Sequence, residues 1–250
     1  MGVDVQDSGA VRILAFNRPD VRNAFDIDQY DASAAAIVAA GGDDQVHVLV
    51  LTGRGSAFSS GQDLGEMARL ASGEAEPGTT GGFRGFLDAL SDCPKPVVAA
   101  VNGVAVGVGF TLLAHCDLVL VDEDARLRTP FAALGVPPEA ASSLLFPLLL
   151  GRQRAAQVLL GSDWLSAAEA VDAGLALRVC ARGTVLAQAE ALAAQLAAHP
   201  PVAVREIKRL MREPWRVAVR EARAREDEAF SRLLGGAELP PPPDGASGRR

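Results

Sequence analysis

Short apolar runs separated by helical patterns are the feature that most restricts how this chain can fold. Val46–Leu51 (VHVLVL), Val97–Val101 (VVAAV) and Asp117–Val121 (DLVLV) lack the regular polar alternation of a half-exposed strand. Runs of this kind are typical of parallel sheets that are covered on both faces. Helical patterns, such as Asp28–Ala40 and Phe83–Leu90, separate them. The sequence therefore predicts an α/β fold with a largely parallel sheet, to which Val11–Phe16 adds a further strand.

After about residue 138 the strand signals fade and the remaining patterns are helical. We expect helices at Ser142–Leu150, Arg152–Leu160, Ser166–Ala173, Val185–Ala198, Val202–Met211 and Trp215–Leu234. Three regions follow from this pattern. We expect residues 1–195 to form a core with the ligand site, 196–236 a helical region whose apolar stripes suit oligomerisation, and 237–250 a disordered tail. The Gly- and Thr-rich segment Ala71–Gly82 is expected to be a mobile surface loop.

Charge and cysteine content argue against several classes of function. The net charge of −7 and the sequence pI of about 5.0 disfavour a general nucleic-acid partner. Cys93, Cys116 and Cys180 show no CxxC spacing, so neither a disulfide framework nor a structural zinc site is expected. No apolar run reaches the ~18 residues of a membrane span, and the N-terminus lacks a signal-peptide pattern. We expect a cytoplasmic protein without a metal ion.

Two glycine-containing segments follow predicted strands and form the candidate ligand site. The first is Gly53–Leu64 (GRGSAFSSGQDL), whose backbone N–H groups could face a ligand. The second is Lys95–Leu113 (KPVVAAVNGVAVGVGFTLL), in which a strand leads through Gly107-Val108-Gly109 into an apolar helix. A helix N-terminus presents unpaired N–H groups that suit a developing negative charge. Taken separately, a segment like the first is more often an ordinary turn than a ligand site, and the second is equally compatible with a helix–strand packing contact.

Together these segments resemble the crotonase (enoyl-CoA hydratase/isomerase) superfamily over nearly the whole chain. Asn17–Phe25 carries an NRP…NA signature, AFSSGQDL matches the first oxyanion loop, and KPVVAAVNGVAVGVGFTLLAHCDLVL matches the second loop and its helix. Trp164–Leu175 (WLSAAEAVDAGL) matches the segment that follows. The resemblance implies a spiral of β-β-α turns with a helical C-terminal region. It also implies a homotrimer or dimer of trimers that acts on an acyl-CoA thioester without a separate cofactor.

Carried over by position, the resemblance implies an oxyanion hole made by the backbone N–H groups of Ser60 and Val108. Such donors would stabilise a thioester oxygen as an enolate. It also places Arg22 against the CoA phosphates, although a solvated surface charge is an equally good interpretation of this residue. The other residues that it implies for the CoA or substrate site are Ala57, Ser59, Gly61, Gln62, Asp63, Leu64, Gly107, Thr111 and Phe131.

The acidic residues decide which reaction the resemblance implies. Hydratases of this family use two glutamates, and this chain has Thr111 and Phe131 at those positions. A carboxylate follows at Glu139, after two prolines. Thr129–Phe146 (TPFAALGVPPEAASSLLF) resembles the peroxisomal-type delta-3-delta-2-enoyl-CoA isomerases, in which a glutamate at this point is the only catalytic base.

The resemblance therefore implies an enzyme of fatty acid metabolism that isomerises 3-enoyl-CoA to 2-trans-enoyl-CoA, with Glu139 as the base. Hydration, thioester hydrolysis and decarboxylation remain alternatives within the family. A non-catalytic acyl-CoA binder, in which Glu139 is only a first-turn charge of a helix, is an alternative outside catalysis.

Overall fold

A computed structural model describes residues 2–63, 65–66 and 81–234. Most of the predicted mobile loop at Ala71–Gly82 lies outside the described residues. Leu64 and the predicted tail at 237–250 lie outside them as well, so the predictions made for these three parts remain predictions.

The main sheet is largely parallel, as predicted. Among the described residues it contains six strands in the order β1-β2-β3-β5-β7-β10. Their bounds are β1 Val3–Ser8, β2 Val11–Phe16, β3 Val48–Gly53, β5 Val97–Val101, β7 Leu118–Asp122 and β10 Arg178–Cys180. Only β1 pairs antiparallel, with β2. Every residue of β3 and β5 is buried, which explains why these strands are apolar without alternation.

A second, smaller sheet supports both glycine segments. Its strands are β4 Ala57–Ser59, β6 Val104–Val106, β8 Arg126–Arg128 and β9 Leu165–Ser166, in the order β4-β6-β8-β9. The interpretation of Gly53–Leu64 as a loop was incomplete, because β4 lies inside it. The prediction that strands end near residue 138 was also wrong, since β9 and β10 follow. Strands of two or three residues are too short to show a period in the sequence.

The helices agree with the predicted ones apart from their ends. Their bounds are α1 Ile27–Gly42, α2 Gly82–Asp92, α3 Val108–Thr111, α4 Ser142–Gly161, α5 Ala167–Asp172, α6 Val185–Ala197, α7 Pro201–Arg212 and α8 Arg216–Leu234. A 3₁₀ turn, Leu112–His115, continues α3. Gly151 in α4 has non-helical angles (φ 72°, ψ 156°), which explains why two helices are predicted there. No helix of the described part is long and apolar enough to span a bilayer.

Helices cover the main sheet on both faces. Val48 and Val50 of β3 point to the face that packs against α6, while Leu49 and Leu51 point into the larger core, which contains residues of α1, α2 and α4. This alternation follows from the two-residue period of a strand. The C-terminal helices attach through buried charges, among them a 2.7 Å ion pair between Lys208 of α7 and Asp117. The helical C-terminal region predicted from the sequence is therefore present and packed on the core.

Candidate active site at the two glycine segments

Two glycines, Gly61 and Gly107, bring the two predicted segments into contact. Both have positive φ values, 96° and 53°, which side-chain-bearing residues rarely adopt. A Cβ placed on Gly61 would lie 2.7 Å from the Val106 carbonyl oxygen and 3.6 Å from Gly107 Cα. The parallel pairing of β4 with β6 brings the two segments to the same edge of the small sheet. The site therefore depends on two backbones that approach closely because neither residue has a side chain.

The N–H groups that follow these glycines are the available donors. Gln62 follows Gly61 and Val108 follows Gly107, and neither N–H has a hydrogen-bond partner among the described residues. The Ser60 N–H, by contrast, donates to the Arg22 carbonyl oxygen at 2.9 Å. The assignment of Ser60 as an oxyanion donor is therefore contradicted, because its N–H is already engaged. The Val108 N–H lies at the start of α3, where the sequence predicts a free donor.

Several residues predicted to bind the ligand instead hold the first segment in shape. The Ser59 hydroxyl donates to the Asn23 carbonyl oxygen at 2.8 Å and accepts from the Gly61 N–H at 3.1 Å. The Ala57 carbonyl oxygen accepts from the Asn23 side chain at 2.8 Å. The Asp63 carboxylate pairs with Arg18 at 3.2 Å. These contacts explain how the segment is held rigid, which a preorganised site requires.

The Glu139 carboxylate lies next to Gly107, where the two glycine segments meet. Its Oε1 atom would be 4.0 Å from a Cβ placed on Gly107. Although part of the residue is exposed, burial of the carboxyl group raises the pKa of Glu139 to about 8, and the charge of Glu226 adds to this. The structure thus brings Glu139 together with Gly61, Gly107 and Val108, as the site prediction requires.

Tyr30 of α1 completes this side of the site and was not identified from the sequence. Its hydroxyl donates to the Gln62 side-chain oxygen at 2.7 Å, and its ring stacks on Phe25 at 4.7 Å between centroids. Burial, and then the charge of Glu139, raise the pKa of Tyr30 well above its ordinary value. The phenol is therefore neutral at physiological pH. A tyrosine within an amphipathic helix carries no sequence signal that would separate it from an ordinary core residue.

Thr111 and Phe131, at the positions of the hydratase glutamates, are both buried. The Thr111 hydroxyl has no hydrogen-bond partner among the described residues. Neither side chain can carry a proton between carbon and oxygen atoms near pH 7. Arg22 is exposed, with φ 52°, and makes no salt bridge within the described part of the chain. Its backbone, rather than its guanidinium group, makes the contact with the site that the structure records, through Ser60.

An unusual turn follows Glu139 and leads into α4. Ala140 and Ala141 both adopt left-handed angles, with φ values of 59° and 57°. The His115 Nε2 atom lies 2.8 Å from the Ala140 carbonyl oxygen, and its Nδ1 lies 3.0 Å from the Ser91 hydroxyl. A carbonyl oxygen can only accept, so Nε2 carries the proton. Burial lowers the pKa of His115 to about 4. His115 is therefore a buried, neutral residue that packs beneath this turn.

Glu226 of α8 contacts the same turn from the far end of the chain. Its carboxylate accepts from the Ala141 N–H at 2.7 Å, from the Ser143 N–H at 2.9 Å and from the Ser143 hydroxyl at 2.5 Å. Because Glu226 lies far from Glu139 in the sequence, no local motif could have indicated this contact. Within the described residues, no group of three or more His, Cys, Asp or Glu side chains could hold a metal ion.

Comparison with known proteins indicates the family of this chain. The family model for enoyl-CoA hydratase/isomerase matches residues 6–239. Enoyl-CoA delta isomerase 2 of Rattus norvegicus is 37% identical over 214 residues, which cover 85% of this chain and 54% of that protein. The 2,3-dehydroadipyl-CoA hydratase of Escherichia coli K12 is 32% identical over 223 residues, which cover 89% of this chain and 86% of that protein.

A solved enoyl-CoA hydratase/isomerase from Pseudoalteromonas atlantica T6c has the same fold. It superposes with a TM-score of 0.91 at 37% identity, covering 95% of this chain and 93% of the other. This chain spans little more than half the length of the delta isomerases that it matches. Because the family model matches most of the chain and the folds superpose closely, the chain belongs to the enoyl-CoA hydratase/isomerase family.

Proposed function

We propose that this protein isomerises a 3-enoyl-CoA to the 2-trans-enoyl-CoA, with Glu139 as its only acid–base group. The observation that carries the proposal is the position of the Glu139 carboxylate against Gly107, one residue before the Val108 N–H. No carboxylate stands at positions 111 and 131. The similarity to enoyl-CoA delta isomerases supports the same reaction.

The thioester oxygen would be held by the N–H groups of Gln62 and Val108. Each follows one of the two touching glycines, and each lacks a partner among the described residues. In the transition state this oxygen gains negative charge, so both hydrogen bonds strengthen as the α-proton leaves. Removing one such donor typically costs ~2.7–4 kcal/mol of transition-state stabilisation. Gln62 replaces Ser60 in this role because the Ser60 N–H is bound to Arg22.

Glu139 would move one proton between two carbon atoms. Its carboxylate takes a proton from the α-carbon, and the electron pair of that C–H bond delocalises into a dienolate. The resulting carboxylic acid gives the proton to the γ-carbon, which moves the double bond into conjugation with the thioester. A carboxyl group with a pKa of about 8 suits both steps, because a general base and acid work best near the operating pH.

Hydration is the second candidate, because one relative in the comparison is a 2,3-dehydroadipyl-CoA hydratase. Adding water across a double bond needs an activated water and a proton delivered to the α-carbon. Family hydratases divide this work between two glutamates, and this chain has Thr111 and Phe131 there. A carboxylate at Glu139, with none at positions 111 and 131, favours proton transfer over water addition.

The test compares wild type with Glu139→Gln on two substrates, a 3-enoyl-CoA and a 2-enoyl-CoA. We expect wild type to isomerise the first and barely hydrate the second. Loss of the base should lower the isomerisation rate by ~10²–10⁴-fold. Glu221→Gln, an exposed glutamate on α8, is the matched control and should leave both rates unchanged.

Binding of a non-reactive saturated acyl-CoA, measured by calorimetry, separates the remaining alternatives. Glu139→Gln should keep the wild-type affinity within a few-fold, because the N–H donors belong to the backbone. Strong hydration by wild type would point to a hydratase instead. Unchanged isomerisation in Glu139→Gln would reject Glu139 as the base, and binding without any turnover would indicate a non-catalytic acyl-CoA binder.

We also propose a homotrimer or a dimer of trimers that works in the cytoplasm. Support for assembly comes from large apolar side chains exposed on the C-terminal helices and on the turn between them. They are Val202, Ile207, Leu210, Met211, Trp215 and Val217. Exposed apolar area of this kind commonly marks an interface between subunits. Light scattering that gives the mass of a monomer at micromolar concentration would contradict this proposal.

A further inference from the structure

Glu226 replaces a local helix cap at the start of α4. The N-cap position of this helix is Ala141, whose side chain cannot accept a hydrogen bond. Helices usually satisfy their first N–H groups with a Ser, Thr, Asp or Asn at this position. Here the acceptor is a carboxylate from α8, 6% exposed, which binds the N–H groups of Ala141 and Ser143. The start of α4 therefore depends on a residue 85 positions away from Ala141.

The same contact stabilises two strained residues. Ala140 and Ala141 both lie in the left-handed region, where a residue with a side chain costs roughly 1–2 kcal/mol. Such a conformation persists only when its surroundings impose it. The Glu226 carboxylate holds this turn on one side, and the His115 ring holds the Ala140 carbonyl on the other. Glu139 is the residue directly before the turn, so the turn sets the direction of its side chain.

We propose that Glu226 is a positioning residue for Glu139: it holds the left-handed turn that aims the base at Gly107 and places a second buried carboxylate behind it. This inference rests on the proposed function for its link to catalysis. One further consequence is electrostatic, since the charge of Glu226 makes ionisation of Glu139 less favourable. Burial raises the pKa of Glu226 as well, but three hydrogen-bond donors favour its ionised form.

Other ionisable groups around the turn do not supply this charge. Tyr30 from α1 and His115 from the 3₁₀ turn are both neutral near pH 7. Two of the charged neighbours of Glu226 on α8 are paired with residues of α2: Arg223 with Asp88 at 2.6 Å and Asp227 with Arg84 at 3.1 Å. Removing the charge of Glu226 alone should therefore change the titration of Glu139.

The experiment titrates Glu139 directly, by NMR of protein labelled with ¹³C at the glutamate carboxyl carbon. The Glu139 signal is the one that Glu139→Gln removes. In Glu226→Gln we expect its titration midpoint to fall by about half a pH unit or more. The matched control is Glu228→Gln, which removes the same charge from an exposed position two residues further along the helix. It should leave the midpoint in place.

A second variant, Glu226→Asp, separates position from charge and also serves if Glu226→Gln does not fold. Its carboxylate is one methylene too short to bind both N–H groups. We expect isomerisation to fall about tenfold or more in kcat, because a small misplacement of the base is costly, while the Glu139 midpoint stays near that of wild type.

The outcomes distinguish the inference from the proposed function. Unchanged midpoint in Glu226→Gln, or wild-type kcat in Glu226→Asp, would overturn the role of Glu226. If Glu139→Gln keeps full isomerisation while Glu226→Gln still shifts the midpoint, the proposed function fails. In that case the coupling of the two carboxylates stands on its own.

Discussion

The Tyr30 hydroxyl donates a 2.7 Å hydrogen bond to the side-chain oxygen of Gln62, the residue whose backbone N–H is the proposed second oxyanion donor. A helix of the core thereby fixes the loop that must hold the developing charge. Tyr30 contacts the loop through Gln62, and the charge of Glu139 also acts on its hydroxyl. Its contribution should therefore appear in the rate and hardly in the stability of the substrate complex.

Tyr30→Phe should lower kcat by roughly 2- to 10-fold, the equivalent of one neutral hydrogen bond. The ring remains, so its stacking on Phe25 is kept. Steady-state kinetics with a 3-enoyl-CoA measures the effect. Thr52→Val, which removes the buried hydrogen bond from Thr52 to the Ala100 carbonyl in the main sheet, is the control. Equal losses of kcat in both variants would show a general stability effect instead.

Gly61→Ala should lower isomerisation by ~10²-fold or more, because separating the two loops removes one oxyanion donor. The added Cβ would lie 2.7 Å from the Val106 carbonyl oxygen. Gly9→Ala is the control, since Gly9 also has a positive φ, of 59°, but has open space around its Cβ position. Both variants bear backbone strain, and only Gly61→Ala should lose activity. Comparable activity in the two would argue against contact between the loops.

The raised pKa of Glu139 should make the folded protein less stable as pH rises. Between its ordinary value of 4.5 and about 8, this carboxyl stays protonated in the folded state and ionises in the unfolded state. The folded state then binds more protons, so the free energy of unfolding falls with increasing pH across this window. Glu139→Gln removes this term. The free energy of unfolding of Glu139→Gln, minus that of wild type, should therefore be larger at pH 8 than at pH 5 by at least ~1 kcal/mol.

Urea unfolding at the two pH values gives this difference directly. The absence of such a difference would mean that Glu139 is ionised throughout the range. That result would also remove the argument that Glu139 can donate a proton near neutral pH.

The buried neutral His115 should make the protein sensitive to acid. Its pKa falls from 6.5 to about 4 on folding, so the unfolded state binds more protons between these values. The stability that neutral His115 contributes is therefore fully present above pH 6.5, and it is lost as pH falls toward 4. The expected loss between pH 7 and pH 5 is roughly 2 kcal/mol. His115→Gln, measured in the same way, should have a flatter profile over this range; an identical slope would contradict the assignment.

The sequence was sufficient for the parts of this fold whose signals are local. Continuous burial on both faces shows in Val97–Val101, and a helix that follows Gly107 shows at Val108. The short strands of the second sheet could not be predicted, because two or three residues contain no period. In the site, Glu139 and Val108 could be located from their neighbours in the chain. The Ser60 error arose because the direction of one N–H depends on a contact with Arg22, which spacing does not show.

The bond between Glu226 and Ala141 also has a consequence during synthesis. These residues are 85 positions apart, and ribosomes add about 5–20 residues per second, so Glu226 is made roughly 4–17 seconds after Ala141. Throughout that interval the N–H groups of Ala141 and Ser143 lack the Glu226 carboxylate as their hydrogen-bond acceptor. A nascent chain can therefore assemble the sheet and the glycine loops while the first turn of α4 and the side chain of Glu139, the proposed base, are not yet held in place. Competence for catalysis would then be acquired as a late step, separate from formation of the core.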